Sequence, residues 1–527
     1  MTDLPKRVLV IGLDGADPRF CAEMMDEGRL PAMAALRERG VFGDLASTIP
    51  PVSAPAWSTF MTGRDPGGHG VYGFVEEDGA GGFRLMSLAS VEGTKLWEAA
   101  GEKRVGVMNV PVTFPMPKVN GVFASGMLTP PGRPYTEPPE LQARIEEIAP
   151  AYAPDIDRSL FGDPEALYAH LLDLVDARGE AFLDVYRSEP WDLFACVFTE
   201  TDRVQHHFWR DQRDRIKDFF DRVDEQVGRL VEAAGDDTLV LIMSDHGFVG
   251  TDRRFYANQW LREAGYLKLK RVREDTDDYE DRRFTTHLGE TQKEEPAPVP
   301  AKRNLLDRMA WMFGIGSRRA IDWSKTQAYL YSASSHGIEI NLKGRQPEGI
   351  VEGKDYDDLR DEMIEKLKAL TYPDSAEHVF SRVLRREEAY FGPHIARAPD
   401  IVLCPTNDRY RIVTHPAAKS PFRQHKRAEG YHGETGLLFL AGPGVVSGAS
   451  TEAGLADVMP TVLWALDVGI PESVDGSVLF PLLSAGAEEA RPVRTVEDGA
   501  FAPTVEPTLT AEEEEALKDS LRGLGYL

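Results

Sequence analysis

Short apolar runs that end near an acidic residue recur along the chain. Five consecutive apolar residues, 239–243, are bounded by polar residues and followed by a Ser-Asp-His-Gly sequence. A run of this length predicts a buried β-strand. Two further runs share the pattern, so we predict three strands that each end near a carboxylate. The runs and the acids after them are 8–13 with Asp14, 191–198 with Asp202, and 239–243 with Asp245.

Apolar residues at helical spacing lie between these predicted strands. Residues 136–190 are rich in this pattern, with Leu167, Leu171 and Val175 at helical intervals, and residues 218–234 predict an amphipathic helix before the third strand. Strands that alternate with helices predict an α/β fold, in which helices flank a central, mostly parallel sheet.

Changes in composition divide the chain into predicted units. Residues 268–305 are dense in charge and contain a run of alternating prolines at 296–300, which favours a solvated, mobile insertion or cap. Between 326 and 403, short β-like pieces surround a predicted helix at 355–370, which indicates a smaller α+β subdomain. The predicted units are 1–265 and 426–485 as the two parts of the core, 266–325 as the insertion, 326–425 as the subdomain, and 486–527 as a linker with an acidic C-terminal helix.

The charge balance narrows the classes of protein. The chain has 60 Lys and Arg against 86 Asp and Glu in 527 residues, a formal net charge of −26. This charge disfavours binding to nucleic-acid polymers and to anionic membranes. An anionic small-molecule substrate would need local positive charge, which bound metal ions supply. The sequence shows neither a transmembrane stretch nor a signal-peptide layout, so we expect a cytoplasmic enzyme.

Cysteine chemistry is not expected. Cys21, Cys196 and Cys404 lie far apart and form no CxxC motif. This spacing argues against a disulfide framework and against a cysteine-based zinc site. The sequence does not determine the oligomeric state.

Aspartate and histidine residues occur where ligands bind in open α/β sheets, outside the carboxyl ends of the strands. Asp245 and His246 are adjacent, and Gly247 permits the bend through which both can reach one ion. Asp202 and His206 are four residues apart and share one face of a helix. The Asp245–His246 pair could instead be a polar cap at a strand end. The Asp202–His206 pair could instead be an ion pair on the surface.

His432 and Ser53 complete the candidate set. His432 lies in a glycine-rich segment that predicts a loop before a core strand, and a surface histidine is an equal alternative. Three prolines between residues 50 and 55 disfavour helix before about Ala56, which places Ser53 just before a helix N-terminus. The helix dipole there favours an anion and a lowered hydroxyl pKa, as a nucleophile requires, whereas the alternative is a helix cap.

Three aspartates, three histidines and one hydroxyl suit two metal ions that share a site. We expect two divalent cations, with zinc favoured by the Asp and His donors and manganese as the alternative. The candidate residues are Asp14, Ser53, Asp202, His206, Asp245, His246 and His432.

In the order of these motifs the chain resembles the alkaline phosphatase superfamily, in particular its type I phosphodiesterase/nucleotide pyrophosphatase branch. The resemblance extends over about residues 7–480, apart from the insertion near 268–325. Each motif alone is weak evidence for this resemblance, whereas the order of the motifs along the chain is highly specific for it. The motifs are Val8-Leu-Val-Ile-Gly-Leu-Asp14-Gly, Thr62-Gly-x-x-Pro-x-x-His-Gly70, Asp202-x-x-x-His206, Ser244-Asp-His-Gly247, Gly430-Tyr-His-Gly433, Pro399-Asp-Ile-Val, and Met459-Pro-Thr with Val474-Asp-Gly.

The resemblance implies an alkaline-phosphatase-like fold and hydrolysis of a small-molecule phosphoester, preferably a phosphodiester or pyrophosphate, through a phosphoserine intermediate. It implies that Asp14, Ser53, Asp245 and His246 hold one ion, and that Asp202, His206 and His432 hold the other. Ser53 matches the nucleophile because it lies nine residues before Thr62 of the Thr-Gly pair. Ser58 and Thr59 would fall inside the helix and are expected to pack.

Several positions depart from related families. Phe74 stands where many nucleotide pyrophosphatases carry an Asn that holds a phosphoryl oxygen, and Asn109 is a candidate for that role. Trp57 replaces the arginine of the sulfatase signature, which disfavours a sulfatase. His69 matches a position that is not a ligand and is expected to be structural. The alternatives are a phosphomutase of the same superfamily and, less favoured, a sulfatase or a non-catalytic binding protein.

Overall fold

The computed structural model describes residues 4–77, 83–273, 317–373, 375–416, 418–499 and 509–524. The strands are β1 (Arg7–Leu13), β2 (Val41–Ala46), β3 (Val75–Glu77), β4 (Phe83–Leu85), β5 (Val105–Val110), β6 (Gly121–Ser125), β7 (Thr136–Glu137), β8 (Leu193–Phe198), β9 (Thr238–Met243), β10 (Gly247–Tyr256), β11 (Leu269–Arg273), β12 (Ser317–Ile321), β13 (Ala328–Tyr329), β14 (Gly337–Ile340), β15 (Phe380–Arg385), β16 (Ile401–Pro405), β17 (Tyr410–Val413), β18 (Phe422–Gly433), β19 (Thr435–Ala441), β20 (Ile470–Pro471) and β21 (Thr495–Val496). The α-helices are α1 (Pro18–Asp26), α2 (Pro31–Arg39), α3 (Ser53–Thr62), α4 (Pro66–His69), α5 (Leu96–Ala99), α6 (Glu140–Ile148), α7 (Pro164–Ser188), α8 (Glu200–Phe208), α9 (Arg213–Ala234), α10 (Ala257–Ala264), α11 (Tyr356–Lys368), α12 (Arg386–Ala389), α13 (Val458–Ala465), α14 (Ala487–Ala490) and α15 (Ala511–Leu524).

An eight-stranded sheet with the order β2-β19-β9-β1-β8-β5-β6-β7 forms the centre of the fold. Its inner strands β9, β1, β8, β5 and β6 are parallel to one another. β19 is antiparallel to both β9 and β2, and β7 is antiparallel to β6. The predicted α/β fold class, with a mostly parallel central sheet, is therefore confirmed.

Alternate side chains of the central sheet pack into two separate cores. In β1, Val8 and Val10 join one core, whereas Leu9 and Ile11 join the other. Helices α1, α2, α7 and α9 contribute to the second core, and α3 and α13 contribute to the first. Because both faces are buried, the inner strands are continuous apolar runs, and such runs are visible in a sequence.

Smaller sheets follow in the second half of the chain. The four-stranded sheet β13-β14-β16-β15 has α11 packed against β15, as the short β-like pieces around a helix predicted. A three-stranded sheet, β17-β10-β18, leads to the candidate site. The division of the chain into separate units remains a prediction.

The predicted insertion falls mostly outside the described residues, which omit 274–316. The described flanks of this segment, β11 and β12, pair with each other in an antiparallel ladder. Within the described ranges, no helix combines the length and the apolar character that crossing a membrane requires.

Helix α3 begins earlier than the prolines predicted. Its first residue is Ser53, and Pro55 lies within its first turn. A proline is tolerated there because the first N–H groups of a helix have no partner inside the helix. Ser53 is therefore the first helical residue, and not a residue that precedes the helix.

His432 lies in a strand, whereas its glycine-rich surroundings predicted a loop. It is the next-to-last residue of the twelve-residue β18, and it pairs with Phe248 of β10. The nearby Gly430 allows this pairing, since a Cβ there would lie 2.4 Å from the Phe248 ring. The glycines thus serve close packing of the strand, and not a turn.

Asp400 anchors the four-stranded sheet through a fully buried side chain. Its carboxylate accepts hydrogen bonds from the Arg345 guanidinium (2.8 Å to Oδ1) and the Ile340 backbone N–H (2.7 Å to Oδ2). The Tyr356 hydroxyl also donates to Oδ1 (2.5 Å). Burial by itself raises the pKa of Asp400, but Arg345, the Tyr356 hydroxyl and the Ile340 N–H together hold this pKa below its usual value.

We predict that Asp400→Asn lowers the free energy of unfolding by about 3 kcal/mol at pH 7, because it removes the nearer of the two carboxylates, Asp400 and Glu339, that pair with the largely buried Arg345. Since the folded-state pKa of Asp400 is lowered, its stabilising effect is complete above the unfolded-state pKa of about 3.9 and is lost as the pH falls through the folded-state pKa. Urea unfolding at pH 7 and in acid measures the free energy of unfolding of both proteins. We expect the difference in this free energy between wild type and Asp400→Asn to become smaller below about pH 4.

Asp361→Asn is the matched control. Asp361 pairs with Arg385 on the surface, where the two side chains are 45% and 41% exposed. Such a pair contributes less than about 1 kcal/mol. Equal losses of stability in the two variants would show that the Asp400 ion pair does not anchor the sheet.

Candidate metal centre

The carboxyl ends of three adjacent parallel strands, β9, β1 and β8, lie at one edge of the central sheet. Asp14 directly follows β1, Asp245 comes two residues after β9, and Asp202 lies in the first turn of α8, after β8. The strand ends are level, since Leu13 of β1 pairs with Phe198 of β8. Three acids that are distant in sequence are thus brought to one place.

Hydrogen bonds hold the loops after these strands together. Thr201 Oγ1 in α8 donates to the Asp14 carbonyl oxygen (2.6 Å), which joins α8 to the loop after β1. The backbone N–H of Gly15 donates to Asp245 Oδ1 (3.2 Å), which joins the same loop to the segment after β9. The loop after β1 is therefore fixed on both sides.

Asp14, Asp245 and His246 form a first group, whose potential ligand atoms lie within 4.8 Å of one another. His246 Nε2 is 3.6 Å from Asp14 Oδ1 and 3.2 Å from Asp245 Oδ2. Ser53 Oγ is 3.2 Å from His246 Nε2. All four side chains are buried. The first predicted ligand set is therefore assembled in one pocket.

Asp202, His206 and His432 form a second group. Asp202 Oδ1 is 3.2 Å from His206 Nε2 and 3.4 Å from His432 Nε2, and the two histidine nitrogens are 3.1 Å apart. The His246 ring stacks on the His432 ring with 3.8 Å between centroids. The two groups therefore adjoin, with His246 at their boundary.

Backbone carbonyl groups orient two of the histidines. His246 Nδ1 is 3.0 Å from the Gly247 carbonyl oxygen, and His432 Nδ1 is 2.9 Å from the Pro51 carbonyl oxygen. Because a carbonyl oxygen only accepts, each Nδ1 carries the proton and donates. A neutral ring then presents an unprotonated Nε2, which is the form that binds a metal ion.

The aspartates are crowded in a buried space. Burial first, and then the charges of Asp245 and Asp202, raises the pKa of Asp14 well above its usual value. Burial also raises the pKa of Asp245, to about 8. Among the described residues, no hydrogen-bond donor reaches Asp14 Oδ1 or Asp245 Oδ2. A cation would stabilise buried carboxylate oxygens that have no hydrogen-bond donor. The mixture of carboxylate oxygen and imidazole nitrogen ligands fits divalent metal ions.

Two residues that the sequence did not indicate orient the carboxylates. Trp57 Nε1 donates to Asp14 Oδ2 (3.1 Å), and Arg203 donates to Asp202 Oδ2 (2.7 Å). Each bond holds one carboxylate oxygen and leaves Oδ1 directed at the histidines. The signal for Trp57 was its position one helical turn after Ser53, whereas nothing in the sequence separates Arg203 from an ordinary surface arginine.

The remaining candidates have structural contacts. His69 is buried, and its Nε2 lies 3.0 Å from Thr59 Oγ1, as expected of a structural residue. Phe74 is buried in the first core. Asn109 donates its side-chain amide to the Val197 carbonyl oxygen (2.8 Å), and its role towards substrate remains a prediction.

His336 is a further residue near the site that the sequence did not indicate. It lines a small cavity beside His432, together with Pro51, Tyr410 and Tyr431. The cavity volume is about 10 Å³, roughly the room that one water molecule needs. His336 adopts a left-handed backbone conformation with φ of 45°, and burial lowers its pKa to about 4, so its ring is neutral at pH 7.

Comparison with known proteins shows the family and the fold of this chain. A sequence model of the family described as type I phosphodiesterase / nucleotide pyrophosphatase matches residues 8–435. The resemblance predicted from the order of motifs is therefore confirmed. No curated protein sequence matches the chain.

Solved structures show the same fold at low sequence identity. Phosphonoacetate hydrolase from Sinorhizobium meliloti 1021, in complex with phosphonoformate, is 17% identical with a TM-score of 0.53, over 89% of this chain and 97% of that chain. Alkaline phosphatase PafA is 15% identical with a TM-score of 0.54, over 92% and 100%. Murine ectonucleotide pyrophosphatase / phosphodiesterase 5, as an inactive variant with AMP, is 14% identical with a TM-score of 0.51, over 91% and 100%.

We predict that Trp57→Phe weakens metal binding by about 10- to 100-fold, because it removes the hydrogen bond that orients Asp14 while keeping an aromatic ring in the core. Competition between the protein and a chelator, followed by metal analysis, measures this affinity. The control is Trp97→Phe, since Trp97 is also buried and its Nε1 has no hydrogen-bond partner among the described residues. If both variants bind metal as wild type does, the Trp57 bond does not position a ligand.

Proposed function

The chain belongs to the type I phosphodiesterase / nucleotide pyrophosphatase family, and on that premise we propose that it is a two-metal hydrolase that cleaves small-molecule phosphoesters through a phosphoserine intermediate. Membership makes the chain a metal-dependent phosphohydrolase of the alkaline phosphatase superfamily. The proposal adds the number of ions, the nucleophile and the preferred bond, which is a phosphodiester or a pyrophosphate.

One observation carries the proposal: seven side chains from distant parts of the chain meet in two adjoining groups. Asp14, Ser53, Asp245 and His246 would hold one ion, and Asp202, His206 and His432 would hold the other. Three imidazole rings among the donors favour zinc, with manganese as the alternative. The raised pKa values of Asp14 and Asp245 support a cation at the first group, whereas His206, His432 and Arg203 hold the pKa of the buried Asp202 well below its usual value.

Two bound divalent ions would lower the pKa of the Ser53 hydroxyl and neutralise the charge that develops around the attacked phosphorus. Ser53 is buried at the first position of α3, with its Oγ facing His246. The free N–H groups at a helix N-terminus favour negative charge at this position, both on Oγ and on a phosphoryl group attached to it.

The reaction then proceeds in two displacements at phosphorus. Ser53 Oγ gives its proton to solvent and bonds to phosphorus, while the bond from phosphorus to the leaving oxygen breaks and the leaving oxygen takes the electron pair and a proton from solvent. A water oxygen next bonds to phosphorus and the bond from phosphorus to Oγ breaks, while one proton of that water goes to solvent and Oγ takes a proton from solvent, which restores the Ser53 hydroxyl. In-line displacement by Ser53 in the first group would place the leaving oxygen toward the second group, beside His206 and His432.

We predict that Ser53→Ala reduces turnover at least about 1,000-fold while metal content stays close to that of wild type, because the nucleophile is lost and six ligands remain. Steady-state kinetics with metal analysis of the same samples measures both quantities. Ser58→Ala is the control: Ser58 is buried in the same helix, and its hydroxyl donates to the Ala54 carbonyl oxygen (2.7 Å). Wild-type turnover in Ser53→Ala would exclude Ser53 as the nucleophile.

We also predict the order of substrates for the metal-loaded enzyme: an aryl phosphodiester first, an aryl phosphomonoester second, and an aryl sulfate a distant third. Product release from the three esters, measured with and without prior chelation, tests this order and the need for metal. Faster hydrolysis of the sulfate ester than of the phosphate esters would contradict the assignment as a phosphohydrolase. Isomerisation of a phosphate ester without phosphate release would indicate a phosphomutase. Absence of any turnover with metal loaded would indicate a binding protein.

A further inference from the structure

His336 has an unusual backbone conformation for a residue beside the site. It follows the short 3₁₀-helix Ala333–Ser335 with φ of 45° and ψ of 30°, which is the left-handed conformation. Glycine most often takes this conformation at the end of a helix, because a side chain makes it less favourable. The His336 side chain is nevertheless buried, and the His336 carbonyl oxygen accepts a hydrogen bond from the Leu403 N–H (2.9 Å). The presence of an imidazole at this position therefore needs an explanation.

Two buried polar atoms beside the site have no hydrogen-bond partner in the part of the chain that the structure describes. They are Nε2 of His336 and the hydroxyl oxygen of Tyr431. A buried polar atom without a hydrogen bond is unfavourable, so most such atoms bond either to protein groups or to ordered water. A neutral imidazole nitrogen donates or accepts one hydrogen bond, and a tyrosine hydroxyl does both. Both atoms are therefore suited to bond to a water molecule.

His336 and Tyr431 line the same small cavity. Its volume is about 10 Å³, and Pro51 and His432 line it as well. One water molecule needs about this much room, and a larger ligand would not fit. A buried water also needs at least two polar partners, which Nε2 of His336 and the Tyr431 hydroxyl can supply. The volume and the two polar atoms thus agree on the same occupant.

Four aromatic rings connect this cavity with the metal centre. The His336 ring is nearly parallel to the Tyr431 ring, at 17° with 6.3 Å between centroids. Tyr431 stacks in turn on His432, at 11° and 5.1 Å, and His432 stacks on His246, at 21° and 3.8 Å. The bond from His432 Nδ1 to the Pro51 carbonyl oxygen fixes one edge of the ring, but the ring can still tilt about that bond. The neighbouring parallel rings restrict this tilt.

We propose that this cavity binds one water molecule, which joins His336 Nε2 to the Tyr431 hydroxyl and makes both residues positioning residues for His432. The water fixes the Tyr431 ring, and the Tyr431 ring fixes the plane in which His432 presents its own Nε2. The unfavourable backbone conformation of His336 is retained because it places an imidazole at the cavity. The water site does not depend on the proposed function, whereas its effect on metal binding rests on it, since that function assigns His432 to an ion.

A crystal structure of the metal-loaded chain tests the water site directly. We expect one water oxygen between about 2.7 and 3.2 Å from both His336 Nε2 and the Tyr431 hydroxyl oxygen. Absence of ordered water density in the cavity overturns the proposal. A water that bonds to only one of the two atoms also overturns it.

Asparagine and glutamine at position 336 separate the role of the side chain from that of the backbone. A glutamine amide reaches about as far as Nε2 of histidine, whereas an asparagine amide reaches only about as far as Nδ1. Asparagine, however, adopts the left-handed conformation more readily. We expect His336→Asn to raise the dissociation constant of one metal ion about fivefold, the loss of one neutral hydrogen bond, and His336→Gln to stay within about twofold of wild type. A role of the backbone alone would give the reverse order.

Tyr431→Phe removes the hydroxyl and keeps the stacked ring. It should also raise the dissociation constant about fivefold. Combined with His336→Asn, the effect should stay about fivefold instead of reaching about 25-fold, because both changes act through one water. Tyr390→Phe is the matched control, since the Tyr390 hydroxyl is also buried without a partner among the described residues, and Tyr390 packs in a separate small core. Competition with a chelator, followed by metal analysis, measures each constant.

The affected dissociation constant should be the one that Trp57→Phe leaves unchanged, because Asp14 and His432 belong to different groups. Wild-type affinity in both His336→Asn and Tyr431→Phe overturns the proposal, and so does a 25-fold loss in the double variant, which two independent packing defects would give. Should His336→Asn fail to fold, Tyr431→Phe and the water density decide. None of these measurements uses turnover, so a chain that hydrolyses no phosphoester would contradict the proposed function and leave this inference standing.

Discussion

The burial of the Asp14 and Asp245 carboxylates beside each other is the constraint on which the rest of the site depends, because it raises the pKa of both side chains. Asp14, Asp202 and Asp245 stand at the ends of neighbouring parallel strands, and the backbone ladder holds them close whether or not their charges are balanced. Burying an unbalanced carboxylate is unfavourable by several kcal/mol. The fold must therefore be stable enough to hold this arrangement, and the arrangement in turn selects for cations.

The surroundings of the carboxylates make the site rigid without making it neutral. Trp57 and Arg203 each hold one oxygen of an aspartate, and carbonyl groups hold the Nδ1 atoms of His246 and His432. These bonds set the direction of each side chain and leave the inward-facing atoms for metal. The two apolar cores on either side of the sheet support these bonds, since they fix the strands from which the loops extend.

Charge is distributed unevenly in a way that suits an anionic substrate. The acidic chain repels anions in general, whereas bound metal ions would attract a phosphoester at one place.

The sequence by itself determined the strands and helical pairs that depend only on residues close together in the chain. The runs at 8–13, 191–198 and 239–243 appear as strands because a sheet buried on both faces needs continuous apolar residues. Asp14, Asp202 and Asp245 could be predicted as a group because parallel strands bring their carboxyl ends to one edge. The pairing of Asp202 with His206 followed from helical spacing alone.

Only the tertiary structure decided the features that depend on pairing between distant segments. Glycines around His432 looked like a loop because the sequence does not show that β10 lies against β18. Arg203 and His336 have no motif, and the pairing of Arg254 in β10 with Arg411 in β17 and Arg423 in β18 depends on the register of three strands that are far apart in the chain. Local propensity acts over a few residues, whereas strand register is set by packing across the whole fold, and the chemistry near the site depends on that register.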